Sequence, residues 1–285
     1  MANAFHMFLD LRSNIGEDFT AEEHWTDRRL QSALNAAQTQ VALMFSKAPG
    51  DWLLTSTSVT PSSSKITLPS DCVRPVYLET TSGGYPIPFS ATVRERSVTR
   101  PVGSSAGGDF SAEGYFEDLY ITVNQDSFTT ACTLWYEKRI PDLAFGVVAT
   151  GAASSLTMDS GQTPSYANDY YNGVVVETMG TTNYEIKLSS TVTDYVAATR
   201  VMTVTGTGVY TANDYYGTIS LLPPEAHELI VVMATAKVLS KPSSSIDPND
   251  RKNWRDDSNL LRREIEEWLS TRSASTGRIR ETGDD

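Results

Sequence analysis

The chain is short of the residues on which most enzymes and metalloproteins depend. Its 285 residues include only three histidines, His6, His24 and His227, and two cysteines, Cys72 and Cys132. Two thiols cannot make a disulfide framework, and both stand in β-like stretches that read as buried. No His-x-x-x-His and no paired Cys-x-x-Cys occurs, so a zinc site is not expected. A Walker-type loop and a Gly-x-Ser-x-Gly elbow are also missing. The glycines of GSSAGG (Gly103–Gly108) have no Lys-Ser/Thr behind them and open no helix, so they do not read as a phosphate cradle. No apolar run approaches the ~18 residues of a membrane span. The opening MANAFHMFLDLRSN lacks the basic start and long apolar run of a signal peptide. A soluble protein made in a reducing cytoplasm is the expectation.

Positive charge is scarce as well. Lys and Arg number 23 against 35 Asp and Glu, a formal net charge of −12. A broad phosphate-binding surface is therefore excluded, because nucleic-acid affinity comes mainly from Lys and Arg. A wall that DNA slides past without sticking is compatible with this balance. The acidic pairs Glu22-Glu23, Asp256-Asp257 and Glu266-Glu267 are sequence neighbours. Neighbours on a helix do not face each other, and acid–base partners must converge, so solvated charge is the better account. DPND (Asp247–Asp250) is too short for a calcium loop and reads as a turn. His6 and His227 lie among apolar helical residues and suggest structural roles. No catalytic group, cofactor site or metal site is expected.

What is present falls into three sections. The first is helical. Phe5, Phe8, Leu9 and Ile15 mark a short helix closed by Gly16. In the next helix Leu30, Leu34, Ala37, Val41 and Met44 step by 4, 3, 4 and 3, giving one apolar face. Thr26 or Asp27 suits its N-cap, and Pro49-Gly50 ends it. The second section, about Trp52 to Leu222, alternates short apolar runs with Gly, Ser, Thr, Asn and Pro, as many antiparallel strands do. KITLP, VRPVYLE, YFEDLYITV, TACTLWYEKRI, SSLTM, NGVVVET, YEIKLSS, RVMTVTG and YGTISLL are the candidate strands. Thr99–Phe110 reads as a mobile loop. The third section returns to helix. Pro223-Pro224-Glu225 opens one through EAHELIVVMATAKVLS. A charged helix follows, with Trp254, Leu261, Ile265 and Trp268 at spacings of 7, 4 and 3. So narrow a stripe suits either contact with another surface or an ordinary surface helix. The last residues, STGRIRETGDD, lack periodicity and read as disordered until bound.

From about Ala149 to Ser220 charge falls and Thr, Ser, Gly and Tyr dominate. ANDYY occurs twice there, at Ala167–Tyr171 and Ala212–Tyr216, followed by Gly173 and Gly217. Asn and Asp favour turns because their side chains bond nearby backbone. The copies are expected to be matching corners that lead into strands of a small barrel or sandwich. A metal held by Asp169 and Asp214 is the minor alternative. The crowd of tyrosines in this stretch could read a ligand, but core packing is the stronger expectation.

Three stretches, taken together, carry a resemblance. HWTDRRLQSALNAAQTQVA (His24–Ala42) has a Trp-Thr-Asp-x-x-Leu pattern with Leu-Asn-x-Ala-Gln, in which Trp25, Leu30, Leu34, Asn35, Ala37 and Gln38 match. ITLPSDCVRPVYLE (Ile66–Glu79) has a strand ending in Leu-Pro-x-Asp, at Leu68, Pro69 and Asp71. Two helices then close the chain. This order resembles the head-to-tail adaptor, or connector, proteins of tailed bacteriophages. The ANDYY stretch resembles a β module that recurs in phage virion proteins. The resemblance implies an α+β fold of about four helices with strands and an inserted antiparallel β-barrel or sandwich. It implies an adaptor core over residues 1–148 and 222–273, a β module at 149–221 and a flexible tail at 274–285. The implied role is structural: a ring of about twelve copies below the portal protein, contacting tail or neck proteins and extending the channel for genomic DNA. Trp25, Leu30, Leu34, Asn35, Gln38, Pro69 and Asp71 would be fold determinants. Trp254, Leu261, Ile265, Trp268, Arg278 and Arg280 would meet a neighbour or the portal. The alternative is a receptor- or carbohydrate-binding virion protein that uses the Tyr-rich module.

Overall fold

A computed structural model describes residues 2–17, 25–48, 50–90, 114–117, 119–123, 128–160, 167–206, 208–240 and 248–276. The expected loop Thr99–Phe110, together with His24, Glu22-Glu23, Arg278 and Arg280, lies outside them. The fold is α+β, with four helices among the described residues and a closed six-stranded antiparallel barrel. The chain divides into two compact units, one made of residues 1–50 with 140–285 and the other of residues 51–139.

The first unit holds all four helices: α1 (Ala4–Asn14), α2 (Asp27–Lys47), α3 (His227–Leu239) and α4 (Pro248–Thr276). Thr26 occupies the N-cap of α2, though its side chain makes no capping bond. Gly16 follows α1 with φ +74°, the left-handed turn expected of it. DPND is no turn: Pro248 starts α4, where its missing N–H costs nothing and its fixed φ suits a first turn. The α3 stretch reads LIVVMATAKVL, and Leu229, Ile230, Val231, Val232, Ala234, Val238 and Leu239 are all buried. A helix apolar on so many sides belongs in the middle of a bundle, and α3 packs against α1, α2 and α4.

The barrel belongs to this same unit. Its strands are β8 (Phe145–Ala152), β9 (Ser155–Met158), β10 (Val175–Met179), β11 (Ile186–Val196), β12 (Val201–Val204) and β13 (Tyr215–Thr218). They close in the order β10-β11-β12-β9-β8-β13, and closure removes every sheet edge. Val148, Leu156, Met158, Val176, Val192, Tyr195, Met202 and Tyr216 fill the centre. The division therefore differs from the one read from composition. The barrel begins at Phe145, so a boundary at 148/149 cuts β8, and barrel and helices share one compact unit. The physical reason is α1. Phe5 stacks on Tyr215 at 4.6 Å, and Phe8 stacks on Phe145 at 4.3 Å.

That contact needs a glycine. Asn3 caps α1, its Oδ1 accepting from the His6 N–H at 2.9 Å, while its Nδ2 donates to Glu177 Oε2 at 2.7 Å. A Cβ on Gly217 of β13 would stand 2.7 Å from the Phe5 nitrogen and 2.9 Å from Asn3 Oδ1. Only a residue without a side chain lets the cap settle on the strand. Gly217 thus serves close approach.

The second unit contains two sheets. Strands β1 (Leu54–Val59), β7 (Cys132–Lys138) and β3 (Cys72–Thr80) pair antiparallel in the order β1-β7-β3. Strands β2 (Lys65–Thr67), β6 (Tyr120–Val123), β5 (Gly114–Glu117) and β4 (Phe89–Ser90) form the other, with β4 and β5 parallel. The run YFEDLYITV, read as one strand, is the β5–β6 hairpin. Ile66, Leu78, Ile87, Ile121, Phe128, Leu134 and Tyr136 make this unit's core.

Gly217→Ala is expected to destabilise the chain by about 1–3 kcal/mol through overpacking against α1. Equilibrium urea unfolding, followed by tryptophan fluorescence, checks it; an unchanged midpoint would contradict the close approach.

Candidate functional site

The motif on α2 builds a polar seam. Its apolar face, Leu30, Leu34, Ala37 and Val41, is fully buried. Beside it three amides face the extended segment that leads into β8. Asn35 Oδ1 accepts from the Leu143 N–H at 2.7 Å, and Asn35 Nδ2 donates to the Leu143 carbonyl at 3.3 Å. Gln31 Nε2 donates to that same carbonyl at 3.1 Å. Gln38 Nε2 donates to the Pro141 carbonyl at 2.8 Å. Asn35 and Gln38 therefore bond the backbone of a strand lead. The spacing explains the choice: Gln31, Asn35 and Gln38 lie at steps of four and three, one line along the helix. Amides in that line replace the partners that irregular backbone loses when buried.

Trp25 sits half-buried at the start of α2. Its N–H donates to Glu17 Oε1 at 3.1 Å, and its carbonyl accepts from Arg12 at 3.3 Å. Arg12, 1% exposed, also pairs with Glu17 and with Asp27, the first residue of α2. Arg12 is a residue that sequence reasoning missed. Its position among Phe8, Leu11 and Ile15 was the available signal, since a lone cation on an apolar face must find partners.

In the second unit Pro69 and Asp71 form the turn before β3. The Pro69 carbonyl accepts from the Cys72 N–H at 2.9 Å. Asp71 Oδ1 accepts from the Tyr136 hydroxyl at 3.0 Å, and its carbonyl accepts from Arg139 N–H at 2.7 Å. Burial, with help from the Asp71 charge, pushes the Tyr136 phenol far up. Burial likewise pushes both thiols, Cys72 and Cys132, up to about 11. A thiol so disposed stays protonated near neutrality and is a poor nucleophile.

The two ANDYY copies agree in packing and differ in backbone. Tyr171 and Tyr216, the last residue of each, are both buried in the barrel core. In the first copy Asp169 has φ +62°, whereas in the second Asn213 has φ +72°. The first is a turn ahead of β10; the second runs directly into β13. They are not matching corners. Their aspartates also have separate partners. Asp214 pairs with Lys187 at 2.7 Å, and Asp169 accepts from the Asn172 side chain at 2.9 Å. No group of three or more His, Cys, Asp or Glu that could hold a metal is found among the described residues.

Among the described residues, the tyrosines of this stretch turn inward. Tyr171 meets Tyr195 edge-on at 4.9 Å, Tyr210 is buried, and Tyr184 and Tyr215 pack on Phe5. Burial pushes the Tyr195 and Tyr216 phenols above their ordinary value. The two described histidines act as tethers. His6 Nε2 lies 3.2 Å from the Tyr184 carbonyl, and His227 Nε2 lies 3.1 Å from the Leu222 carbonyl.

The α4 stripe faces the bundle. Ile265 and Leu269 are buried, Trp268 tilts on Phe45 at 6.3 Å, and Trp254 and Leu261 are half-buried. Of the stripe, only Trp254, Leu261 and the edge of Trp268 are within reach of another molecule. Next to it a groove of about 380 Å³ opens between α2, α3 and α4, lined by Leu43, Met44, Lys47, Met233, Arg262 and Glu266 among others. Arg262 and Glu266 pair across one turn at 2.9 Å. Lys47 adds a second cation at the rim, and nothing among these lining residues forms a nucleophile–base pair.

No known family model matches the chain, and no curated protein matches it.

Two outcomes test this description. Asn35→Ala takes the side-chain acceptor from the Leu143 N–H and leaves its carbonyl to Gln31 alone, and is expected to cost about 1–3 kcal/mol in urea unfolding. An effect below about 0.5 kcal/mol would remove Asn35 from the seam. Burial lowers the His227 pKa from its ordinary 6.5. The unfolded chain then binds the proton better, so this contribution to stability is full above pH 6.5 and is lost as the pH falls toward the folded value. Between about pH 6.5 and 5, thermal stability should fall with acidification, and the fall should be shallower in His227→Gln.

Proposed function

We propose that this chain is a head-to-tail adaptor of a tailed bacteriophage, a structural virion protein rather than an enzyme. Copies assemble into a ring of about twelve beneath the portal protein. The ring extends the channel through which genomic DNA passes and offers its far side to tail or neck proteins. The protein is made in the host cytoplasm and ends in the neck of the virion.

The observation that carries this reading is the work done by the motif residues. Trp25, Leu30, Leu34, Asn35, Gln38, Pro69 and Asp71 all brace the fold, as fold determinants of such an adaptor would. Support also comes from the inward tyrosines, the protonated thiols and the tethered histidines, which leave these groups occupied with architecture. The net charge of −12 suits a lumen that repels DNA and so does not trap it. Neighbour and portal contacts fall to Trp254, Leu261, the edge of Trp268 and the groove beside them, with Arg278 and Arg280 beyond. A receptor- or carbohydrate-binding role draws little support from the barrel, whose tyrosine faces are spent on each other and on α1.

Negative-stain images of the purified chain, alone and mixed with its portal protein, test the reading. The expected result is a ring stacked coaxially on the portal, with an acidic lumen. A chain that stays monomeric beside the portal and binds glycans would overturn it, as would a lumen lined mainly by Lys and Arg.

A further inference from the structure

The three-stranded sheet of the second unit has two outer strands, β1 and β3, and they are treated very differently. Strand β3 is guarded. It contains Pro75, carries the exposed Arg74, and shifts register twice against β7, between Cys72 and Arg74 and between Pro75 and Tyr77. Its far end is capped by the chain's own return, where the Ile87 N–H reaches the Leu78 carbonyl at 2.8 Å and the Thr80 N–H reaches the Tyr85 carbonyl at 3.0 Å. Proline, charge and bulges are the usual means of keeping an edge from pairing.

Strand β1 has none of them. Leu54-Thr-Ser-Thr-Ser-Val59 carries no charge, no proline and no glycine. It pairs with β7 in unbroken register from Leu54↔Glu137 to Val59↔Cys132. The Lys138 N–H donates to the Leu53 carbonyl at 2.9 Å. In an antiparallel ladder this fixes the bonded residues as the odd-numbered ones. Ser56 and Ser58 therefore point both N–H and C=O away from β7, and both are exposed. Thr55, Thr57 and Val59 are half-buried on the other face.

We propose that the outer edge of β1, which pairs with no other described strand, is a self-docking site that pairs antiparallel with β1 of a second copy. The register that uses both outward serines sets Ser56 opposite Ser58 of the second copy and Thr57 on the two-fold axis. Four backbone hydrogen bonds form. Thr55 then meets Val59 of the second copy, so the β-branched face continues across the seam. Three features select a second copy. The strand is neutral in a chain of net charge −12, so two copies can approach there without like charge at the contact. The pairing satisfies both serines of each copy symmetrically, as an isologous contact requires. The joined sheet, β3-β7-β1-β1-β7-β3, ends on guarded strands at both sides, so it closes as a dimer and does not grow. A seam this short makes a weak interface. The inference stands apart from the adaptor reading: a ring with no such seam leaves that reading intact.

Size-exclusion chromatography with light scattering, over about a 100-fold range of concentration, reads the outcome. The wild-type chain is expected to pass from monomer to dimer. The double variant Ser56→Lys, Ser58→Lys and the double variant Ser56→Glu, Ser58→Glu each set like charges opposite each other and are expected to stay monomeric. Their equimolar mixture is expected to restore the dimer. A wild-type chain that is monomeric throughout, or a Lys variant that dimerises as well as wild type, would overturn the proposal. So would a mixture of two folded variants that remains monomeric. Hydrogen exchange on the wild type gives a readout free of substitutions. The Ser56 and Ser58 amides should exchange about tenfold or more slowly in the concentrated sample, and equal rates would count against the seam.

Discussion

Helix α1 has 11 residues, and Ala4, Phe5, Met7, Phe8, Leu11 and Arg12 among them are buried, with the cap Asn3 at 0% exposure. Everything in the first unit leans on it. Its N-terminal end lies on the barrel through Asn3, Phe5 and Phe8, and its C-terminal end is pinned to the start of α2 through Arg12. A guanidinium taken out of water is costly unless its donors are used and its charge is matched. Here Glu17, Asp27, the Trp25 carbonyl and the face of Phe8, 5.1 Å away, share that task. The ion cluster thereby fixes where α2 begins. That in turn sets the line along which Gln31, Asn35 and Gln38 meet the strand lead at Pro141–Leu143.

The barrel is built to a similar logic. Closed sheets of six strands enclose a narrow interior, and large rings fill it efficiently. Tyr171, Tyr195, Tyr210 and Tyr216 are buried in that interior and bring little aromatic surface to the outside. Composition made this stretch look like a separate module with a possible ligand face. Packing makes it the support on which the first helix rests.

Much of this architecture was legible from the residues. Helix α2 follows its 4-3-4-3 apolar steps, and α3 follows its proline-led start. Most strands fall on the apolar runs read for them. Three strands were missed: β4, Phe89–Ser90, is only two residues long, and the other two hide for opposite reasons. Strand β1 is Thr- and Ser-rich and lies half-open, so its alternation is faint. Strand β8 starts buried and ends exposed, FGVVATGA, so neither period persists along it. Residues that look alike locally also diverge in place: the two ANDYY copies share sequence, yet their left-handed residues differ because one precedes a turn and the other a strand. The α4 stripe read equally well as a docking face and as an inward face, and only the position of α3 decides between them. Arg12 stood out as a lone cation among Phe8, Leu11 and Ile15, but no periodicity in the sequence picks out Glu17 and Asp27 as its partners.

The docking of α1 also governs how the chain must be made. Asn3 bonds Glu177, 174 residues later, and His6 bonds Tyr184, 178 residues later. Contacts so distant in sequence are slow to form, because loop closure precedes any gain from them. At about 5–20 residues per second of synthesis, Phe5, Phe8 and Leu11 emerge roughly ten seconds or more before β10 and β13 exist. During that interval the face of α1 that meets the barrel has no strand to pack on. Helix α1 is thus made well before the strands that seat it, and the newborn chain has to be kept from its neighbours until β13 arrives.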